Sequence, residues 1–436
     1  MAMNRHITSS RMGRLSLMGK LAGGIVGGMV SEGARQLAQG NRPSLDKLLL
    51  TPANARRLTN RLSEMRGAAM KVGQLLSMDS GQILPPELSD VLARLRESAH
   101  RMPSSQVDRV LRQAWGDAWQ NQFKAFDFNP VAAASIGQVH SAVLPDDRRL
   151  AIKIQYPGIR RSIDSDVDNV ASLLRLLNLL PEEMNFESVL NEAKQQLHIE
   201  ADYRKEAEAL EQFSGYLSND QRYAVPEVVA SLTTPEVLTM RYMDGLPIES
   251  LADKPLRVRN AAASAILELA LREVFQWGLV QTDPNFANYR YNPDTGRIQL
   301  LDFGATREYS APDRSALHQL LHACTQGQRS DIEKAAAGVG YLDETDPQAY
   351  RSGIISLLLD ASEPVRAEGS YNFGSSDLAD RMRDRLIDMR LQNKFWRLPP
   401  TDVLFLHRKL GGMYMLLKRL RVRLAVPELL SNLDSV

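Results

Sequence analysis

The sequence has few of the features that assign a chain to a class at once. Its single cysteine, Cys324, excludes an intramolecular disulfide and favours a reducing compartment. A formal net charge of +1 gives no global electrostatic reason to expect nucleic acid as a partner. The longest uninterrupted apolar run, Leu21–Val30, has ten residues, about half of what a membrane-spanning helix requires. With 436 residues, 44% of them hydrophobic and 24% charged, the composition predicts a globular protein of more than one domain, soluble or peripheral.

The first thirty residues are basic and contain no acid, although the whole chain is nearly neutral. They carry Arg5, Arg11, Arg14 and Lys20, and the first acidic residue is Glu32. A secretory signal is disfavoured because no cleavage site of small residues follows the apolar run. A mitochondrial presequence fits if the source is eukaryotic. A segment lying on an anionic membrane fits equally well, since each basic residue there contributes about 1 kcal/mol, and a frayed tail is the third alternative.

Hydrophobic periodicity predicts that residues 1–120 are largely helical. Thr51 can cap a helix whose apolar residues recur every three or four positions as far as about Met78. A second helix is predicted to begin at Pro86 and a third after Ser104. This part of the chain therefore predicts a helical extension.

The pattern then changes to the period of a β-strand. "LAIKIQY", Leu150–Tyr156, alternates between two faces, follows a turn at Pro145–Asp147, and places Lys153 on its second face. We interpret this as a hairpin. Helices are predicted from about Ile159 to Tyr216, two strands within Val225–Met243, and mainly helices beyond.

The stretch "VQTDPNFANYRYNPDTGRIQLLDFG" carries the chemistry. Asp283 and Asn288, five residues apart, reproduce the spacing of a protein-kinase catalytic loop, in which the aspartate accepts the substrate proton and the asparagine holds a metal ion. Asp302 then begins a D-F-G tripeptide, whose aspartate holds Mg²⁺ between nucleotide phosphates. Carboxylate and amide oxygens are ligands that Mg²⁺ accepts. Upstream, Lys153 is predicted to meet the α/β-phosphates, and Glu206 is the candidate acid that orients it.

Together these motifs resemble the UbiB family of atypical kinase-like ATPases, in the branch of the coenzyme Q kinase-like proteins. The resemblance extends from about residue 50 to the C-terminal region. It rests on "KVGQLLSM" from Lys71, "AAASIGQVH" from Ala132, "EADYRKEAE" from Glu200, "QTDPNFAN" from Gln281 and "LLDFGATR" from Leu300. It implies an α+β, bilobal protein-kinase-like fold. The expected divisions are a flexible basic and apolar segment (1–45), a helical extension (46–122), a small β-rich N-lobe with a helical insertion (123–244) and a helical C-lobe (245–436).

The alanine-rich loop differs most from ordinary kinases. Ala132, Ala133, Ala134, Ser135 and Gly137 replace a glycine-rich loop, and alanine reaches positive φ only at a cost. The resemblance implies that this loop alters nucleotide preference and restrains protein-kinase activity. No A-P-E follows the D-F-G, and a capped helix begins soon after it, so a platform for a peptide substrate is not expected.

The resemblance also assigns family-specific positions. Lys71 and Gln74 form a K-x-G-Q element that is expected to fold over the site and meet an E-x-D pair. Glu200 and Asp202 match that pair. Two further nucleotide-binding candidates are Met240 and Tyr242.

We therefore expect a Mg²⁺-dependent ATPase or small-molecule kinase that uses ATP or ADP and supports ubiquinone or related isoprenoid-lipid metabolism. The expected partners are an anionic membrane surface, an isoprenoid or quinone-precursor lipid and quinone-biosynthesis enzymes, without nucleic acid; a homodimer is left open. The expected location is the cytoplasmic side of the inner membrane in a bacterium, or the matrix side in a mitochondrion. A trans-acting protein kinase and a non-catalytic nucleotide-binding scaffold are the alternatives.

Overall fold

A computed structural model describes residues 67–69, 71–73, 101–176, 186–391 and 399–433. The predicted N-terminal segment and the helix at Pro86 lie outside these residues, as does most of the helix from Thr51; its described parts, 67–69 and 71–73, are helical. The chain divides into two compact units. The first contains the described residues of Met1–Ser77, Gln82–Ala207 and Val228–Tyr242, and the second those of Glu208–Glu227 and Met243–Val436.

The first unit is built around a five-stranded antiparallel sheet. Alternating apolar residues form one of its two central strands, Arg149–Gln155, and an amphipathic helix after Ser104, as predicted, buries Val107, Val110 and Leu111 against the sheet. The elements are α1 (Ser104–Trp115), β1 (Ala125–Phe126), β2 (Ala132–Ala133), β3 (Gly137–Val143), β4 (Arg149–Gln155) and β6 (Val237–Arg241). The strands pair in the order β1-β3-β4-β6, with β2 also on β3.

The predicted hairpin is confirmed as β3 and β4, and its turn places Asp147 at a φ of 67°. One face of β4 carries Ile152 and Ile154, both fully buried in the apolar cluster. The other face is buried as well, since Lys153 is only 6% exposed.

The prediction of the first of the two strands within Val225–Met243 is wrong. Only a single bridge, Val228 to Met240, forms there, because the chain turns into a 3₁₀ helix at Ala230–Leu232.

Three helices follow the hairpin, in agreement with the sequence pattern. They are α2 (Ile159–Leu176), α3 (Phe186–Glu200) and α4 (Tyr203–Tyr216). Asp202 lies between α3 and α4, and its carboxylate accepts the backbone N–H of Arg204 in the first turn of α4. This local hydrogen bond fixes the start of the helix that carries Glu206.

The second unit begins with short strands and continues with helices. The strands are β5 (Tyr223–Ala224), β7 (Leu246–Pro247), β8 (Leu279–Gln281), β9 (Tyr289–Tyr291), β10 (Ile298–Leu300), β11 (Thr306–Glu308), β12 (Tyr371–Asn372) and β13 (Arg423–Leu424). A four-stranded sheet has the order β5-β10-β9-β7, and a separate pair joins β8 to β11. Helix α5 (Leu256–Leu271) ends in a π-helical turn, Arg272–Trp277.

The remaining helices follow in the second unit. They are α6 (Ala311–Gln326), α7 (Arg329–Val339), α8 (Gln348–Ala361), α9 (Leu378–Leu391), α10 (Thr401–Arg419) and α11 (Val426–Leu433). The predicted cap of α6 is present, since Ser310 and Asp313 form a reciprocal capping box. Within the described part of the chain, none of the helices combines the length and the apolar character needed to cross a membrane.

Candidate functional site

Lys153 and Glu206 form a buried ion pair in the first unit. Strand β4 supplies the lysine and α4 the glutamate, and Lys153 Nζ donates to both carboxylate oxygens at 2.7 and 2.9 Å. The two side chains are 7% and 3% exposed. Lys153 Nζ also lies 5.5 Å from the ring centroid of Tyr203. The structure therefore brings together the two residues that the sequence pairs, and holds the ammonium group in one place.

Lys71 meets Glu200 in the same unit. The ammonium group donates to one carboxylate oxygen of Glu200, and the Ser135 hydroxyl donates to the other at 3.3 Å. Glu200 thus links the helix of the K-x-G-Q element to the alanine-rich loop. Asp202 instead lies 3.7 Å from the guanidinium of Arg160 and caps α4. Gln74, the other K-x-G-Q residue, lies outside the described residues.

The alanine-rich loop is extended rather than strained. Ala132 and Ala133 form β2 and pair with Val139 and Gln138 of β3. Ala134 N–H donates to Gly137 C=O at 2.9 Å, which closes the turn into β3. Among the described residues other than glycine, only Asp147 and Arg421 have positive φ. The alanines therefore adopt a conformation that needs no glycine.

Gly137 is required for close packing. A Cβ at this position would lie 2.3 Å from the carbonyl oxygen of Ile154 and 2.8 Å from the hydroxyl of Tyr203.

The other two nucleotide-binding candidates lie on or next to β6. Met240 is buried on β6 opposite Ala151. Tyr242 follows that strand, with the Arg149 guanidinium 4.2 Å from its ring centroid.

Asp283 and Asn288 are brought together in the second unit by a tight turn. Asn285 caps the 3₁₀ turn Phe286–Asn288 with its side chain. Asn288 Nδ2 then donates to Asp283 Oδ2 at 3.1 Å and to the Asp283 carbonyl at 3.3 Å. Because the amide nitrogen is used in this way, the amide oxygen is the atom with which Asn288 could bind a metal ion.

Asp302 lies beside this turn because β9 and β10 are antiparallel neighbours. Leu301 N–H donates to Asn288 C=O at 2.9 Å, and Gln281 Nε2 donates to the Asp302 carbonyl at 3.2 Å. The carboxylate accepts the Gly304 N–H at 3.0 Å. An amide oxygen and a carboxylate at the ends of adjacent strands are a donor set that fits Mg²⁺, which prefers oxygen ligands and retains several waters.

The D-F-G phenylalanine is anchored in the core. Phe303 is 3% exposed, and its ring centroid lies 4.5 Å from that of Phe213 on α4. Thr282, next to Asp283, donates its hydroxyl to the Ala305 carbonyl at 2.6 Å, so the segments on either side of the D-F-G are tied to the loop that carries Asp283 and Asn288.

Sequence reasoning missed the contribution of α10. Arg408 donates to Asp283 Oδ1, and the adjacent Lys409 forms a fully buried ion pair with Glu273. Although desolvation disfavours its charge, Glu273 and Tyr289 raise the pKa of Lys409 above its usual value.

The sequence does carry a signal for these contacts. Arg408, Lys409 and Glu273 are charged residues within apolar helical stretches, "DVLFLHRKLGGMYMLL" and "LELALREVFQW". Such charges require a buried partner.

Comparison with known proteins identifies the family. The model of the ABC1 atypical kinase-like domain matches residues 94–336. The chain is 36% identical to the yeast atypical kinase COQ8, mitochondrial (Saccharomyces cerevisiae), over 95% of this chain and 83% of the relative. It is 35% identical to the rat atypical kinase COQ8B, mitochondrial (Rattus norvegicus), over 98% and 81%. The chain therefore belongs to the ABC1 family of atypical kinase-like proteins, which includes these COQ8 relatives.

A solved structure agrees on the fold. The complex of Rv3197 with erythromycin from Mycobacterium tuberculosis covers 86% of this chain and 94% of its own, with a TM-score of 0.57 at 24% identity. At that identity the likeness shows the fold alone. The predicted α+β, protein-kinase-like class and the predicted family are both confirmed.

Proposed function

We propose that this protein binds a Mg²⁺-nucleotide and transfers its terminal phosphoryl group to water or to a small hydroxyl acceptor. The observation that carries the proposal is the convergence of Asp283, Asn288 and Asp302 on one turn and its neighbouring strand, in the order and spacing that phosphoryl transfer requires. The buried pair of Lys153 and Glu206 supports it, since a lysine held by an acid is the group that such enzymes use on the α/β-phosphates.

In this proposal each residue has a defined role. Asn288 and Asp302 would hold Mg²⁺ through their oxygens, and the ion neutralises charge on the phosphates when it is bound. Asp283 orients the acceptor oxygen and takes its proton. The acceptor oxygen bonds to the γ-phosphorus, the bond to the β,γ-bridging oxygen breaks, and the nucleoside diphosphate leaves.

Trans-acting protein kinase activity is disfavoured by the segment after the D-F-G. Residues 306–308 pair as β11 with β8, and α6 begins at Ala311, so little chain remains for a peptide platform. A non-catalytic scaffold is disfavoured because it has no need of Lys153, Asp283, Asn288 and Asp302 together.

We further propose that the acceptor or regulator is an isoprenoid or quinone-precursor lipid at an anionic membrane, and that the protein supports ubiquinone or related lipid metabolism beside quinone-biosynthesis enzymes. The similarity to mitochondrial COQ8 proteins supports this assignment. The same similarity supports a location on the matrix side of a mitochondrial membrane, or at the inner membrane of a bacterium.

Phosphate release from purified protein tests the proposal. We expect ATP hydrolysis that requires Mg²⁺ and rises when anionic vesicles are added. A rate of phosphate release that does not depend on Mg²⁺ would contradict the proposal. So would the absence of phosphate release from both ATP and ADP, with and without anionic vesicles. The Lys153→Met variant is the control for a contaminating ATPase, because its loss of activity assigns the turnover to this protein.

A further inference from the structure

The second unit contains a fully buried ion pair close to the proposed catalytic loop. Lys409 Nζ lies 2.8 Å from Glu273 Oε2 and donates to Glu273 Oε1 at 3.1 Å. Both side chains are 2% exposed. Lys409 Nζ also lies 3.3 Å from the Tyr289 hydroxyl. Glu273 belongs to the π-helical turn Arg272–Trp277, and such turns are frequent at functional sites.

Stability alone does not explain a pair of this kind. Taking two charges out of water carries a desolvation penalty that two apolar side chains of the same volume do not carry. Replacing a buried ion pair by apolar residues is therefore often neutral or stabilising. A buried pair is therefore better explained by what its remaining hydrogen-bonding capacity holds in place.

Glu273 and Lys409 each contact the backbone or side chain of a residue within two positions of the proposed catalytic groups. The Gln281 N–H donates to Glu273 Oε2 at 3.0 Å, and Gln281 lies two residues before Asp283. The side chain of the same Gln281 donates to the Asp302 carbonyl. Tyr289, on the other side of the pair, directly follows Asn288.

One ion pair thus holds both ends of the segment from Gln281 to Tyr289. The neighbouring residue on α10, Arg408, contacts Asp283 itself. Two successive cations of α10, Arg408 and Lys409, therefore contact two carboxylates. The first is that of Asp283 in the proposed site, and the second is that of Glu273 in the buried pair.

We propose that Glu273 and Lys409 are positioning residues that fix the catalytic loop, through the Gln281 N–H and the Tyr289 hydroxyl, so that Asp283, Asn288 and Asp302 keep their mutual geometry. This inference rests on the proposed function for its catalytic consequence. Its structural part, that the pair fixes the loop, can be tested without turnover.

Two double variants separate positioning from stability. E273L/K409M replaces the pair by apolar side chains of similar volume and removes the acceptor for the Gln281 N–H. E273Q/K409M also removes both charges but keeps an acceptor oxygen at position 273. The readouts are kcat and KM for Mg²⁺-ATP hydrolysis, the thermal midpoint, and hydrogen–deuterium exchange of the peptide covering residues 279–291.

We expect kcat of E273L/K409M to be about 10–100-fold below that of E273Q/K409M, with KM changed much less, because misplaced supporting groups cost this much at other sites. The exchange of the 279–291 peptide should be faster in E273L/K409M. Ile332→Ala is the matched control, since Ile332 is fully buried in another apolar cluster of the same unit. It should lower the thermal midpoint while leaving kcat and the exchange of this peptide unchanged.

Equal kcat and equal exchange in the two double variants would overturn the inference. If E273L/K409M does not fold, Glu273→Asp makes the same comparison, because it keeps the charge and withdraws the carboxylate from the Gln281 N–H. If the wild type itself releases no phosphate, the proposed function fails. The exchange measurement then still decides whether the pair fixes the loop.

Discussion

Arg408 and Asn288 engage the two carboxylate oxygens of Asp283, Arg408 from α10 and Asn288 from the same turn. The group that we propose as the proton acceptor is therefore oriented without a substrate. Helix α10 lies beyond residues 94–336, which the family domain model matches. The last long helix is thus part of the candidate site.

A double-mutant cycle should detect this pair. With Asp283→Asn and Arg408→Met, we expect a coupling of about 1 kcal/mol in the free energy of unfolding, because the side chains are only 24% and 12% exposed. The control is Arg383 with Asp380, which are 39% and 56% exposed and should couple by about 0.5 kcal/mol or less. A coupling no larger than the control would show that the contact contributes nothing to stability.

Gly137→Ala should destabilise the first unit. The added methyl would meet the Ile154 backbone, which cannot move without disturbing β4, so we expect a loss of about 1–3 kcal/mol. Gly215→Ala is the matched control: it lies in α4, where no atom of the described residues, outside its chain neighbours and the helix's own backbone, comes within 4 Å of the new methyl. It should stabilise by about 0.5–1 kcal/mol. Denaturant unfolding measures both. Equal effects of the two substitutions would refute the steric explanation.

Acid should destabilise the protein partly through His407. Burial lowers the pKa of His407 to about 4, and its Nε2 is hydrogen-bonded to the Tyr341 hydroxyl. The unfolded chain therefore binds the proton first, near pH 6.5, and stability falls as the pH decreases from there to about 4. The loss is at most about 3 kcal/mol. His407→Gln should reduce the difference in unfolding free energy between pH 7 and pH 4.5, and an unchanged difference would exclude this histidine as the cause.

The sequence predicts well what local patterns determine. The hairpin at Lys153 follows from strict alternation, and the pairing of Asp283 with Asn288 follows from their spacing of five residues across a turn. The contacts of Arg408 and Lys409 could not be predicted in the same way, because more than one hundred residues separate them from Asp283 and Glu273. Only their charge within an apolar helix signalled a distant partner.

The first of the two strands predicted within Val225–Met243 fails to form for a different reason. Its apolar residues satisfy the β pattern, yet the 3₁₀ turn at Ala230–Leu232 leaves room for a single bridge. Burial of both faces of β4 was likewise not predicted, because alternation alone cannot indicate that Lys153 is covered by α4.

Membrane attachment is expected to depend on the N-terminal residues. A variant lacking residues 1–40 should lose most co-sedimentation with anionic vesicles and keep its nucleotide binding, because the basic residues and the short apolar run supply the two signals for reversible attachment. High salt should weaken attachment of the full chain. Equal sedimentation of both proteins would place the membrane contact elsewhere, and sedimentation of neither would favour the frayed tail.

The most direct test of the proposed function compares Asp302→Asn with Asp283→Asn. Mg²⁺-dependent thermal stabilisation by ATP measures binding, and phosphate release measures turnover. Asp302→Asn should abolish the stabilisation, which for the wild type amounts to about 2.7 kcal/mol at a nucleotide concentration of 100 Kd. Asp283→Asn should keep the stabilisation and lose turnover. Asp294→Asn, in an exposed turn, should change neither. Full Mg²⁺-dependent stabilisation of Asp302→Asn, or undiminished turnover of Asp283→Asn, would contradict the proposed function.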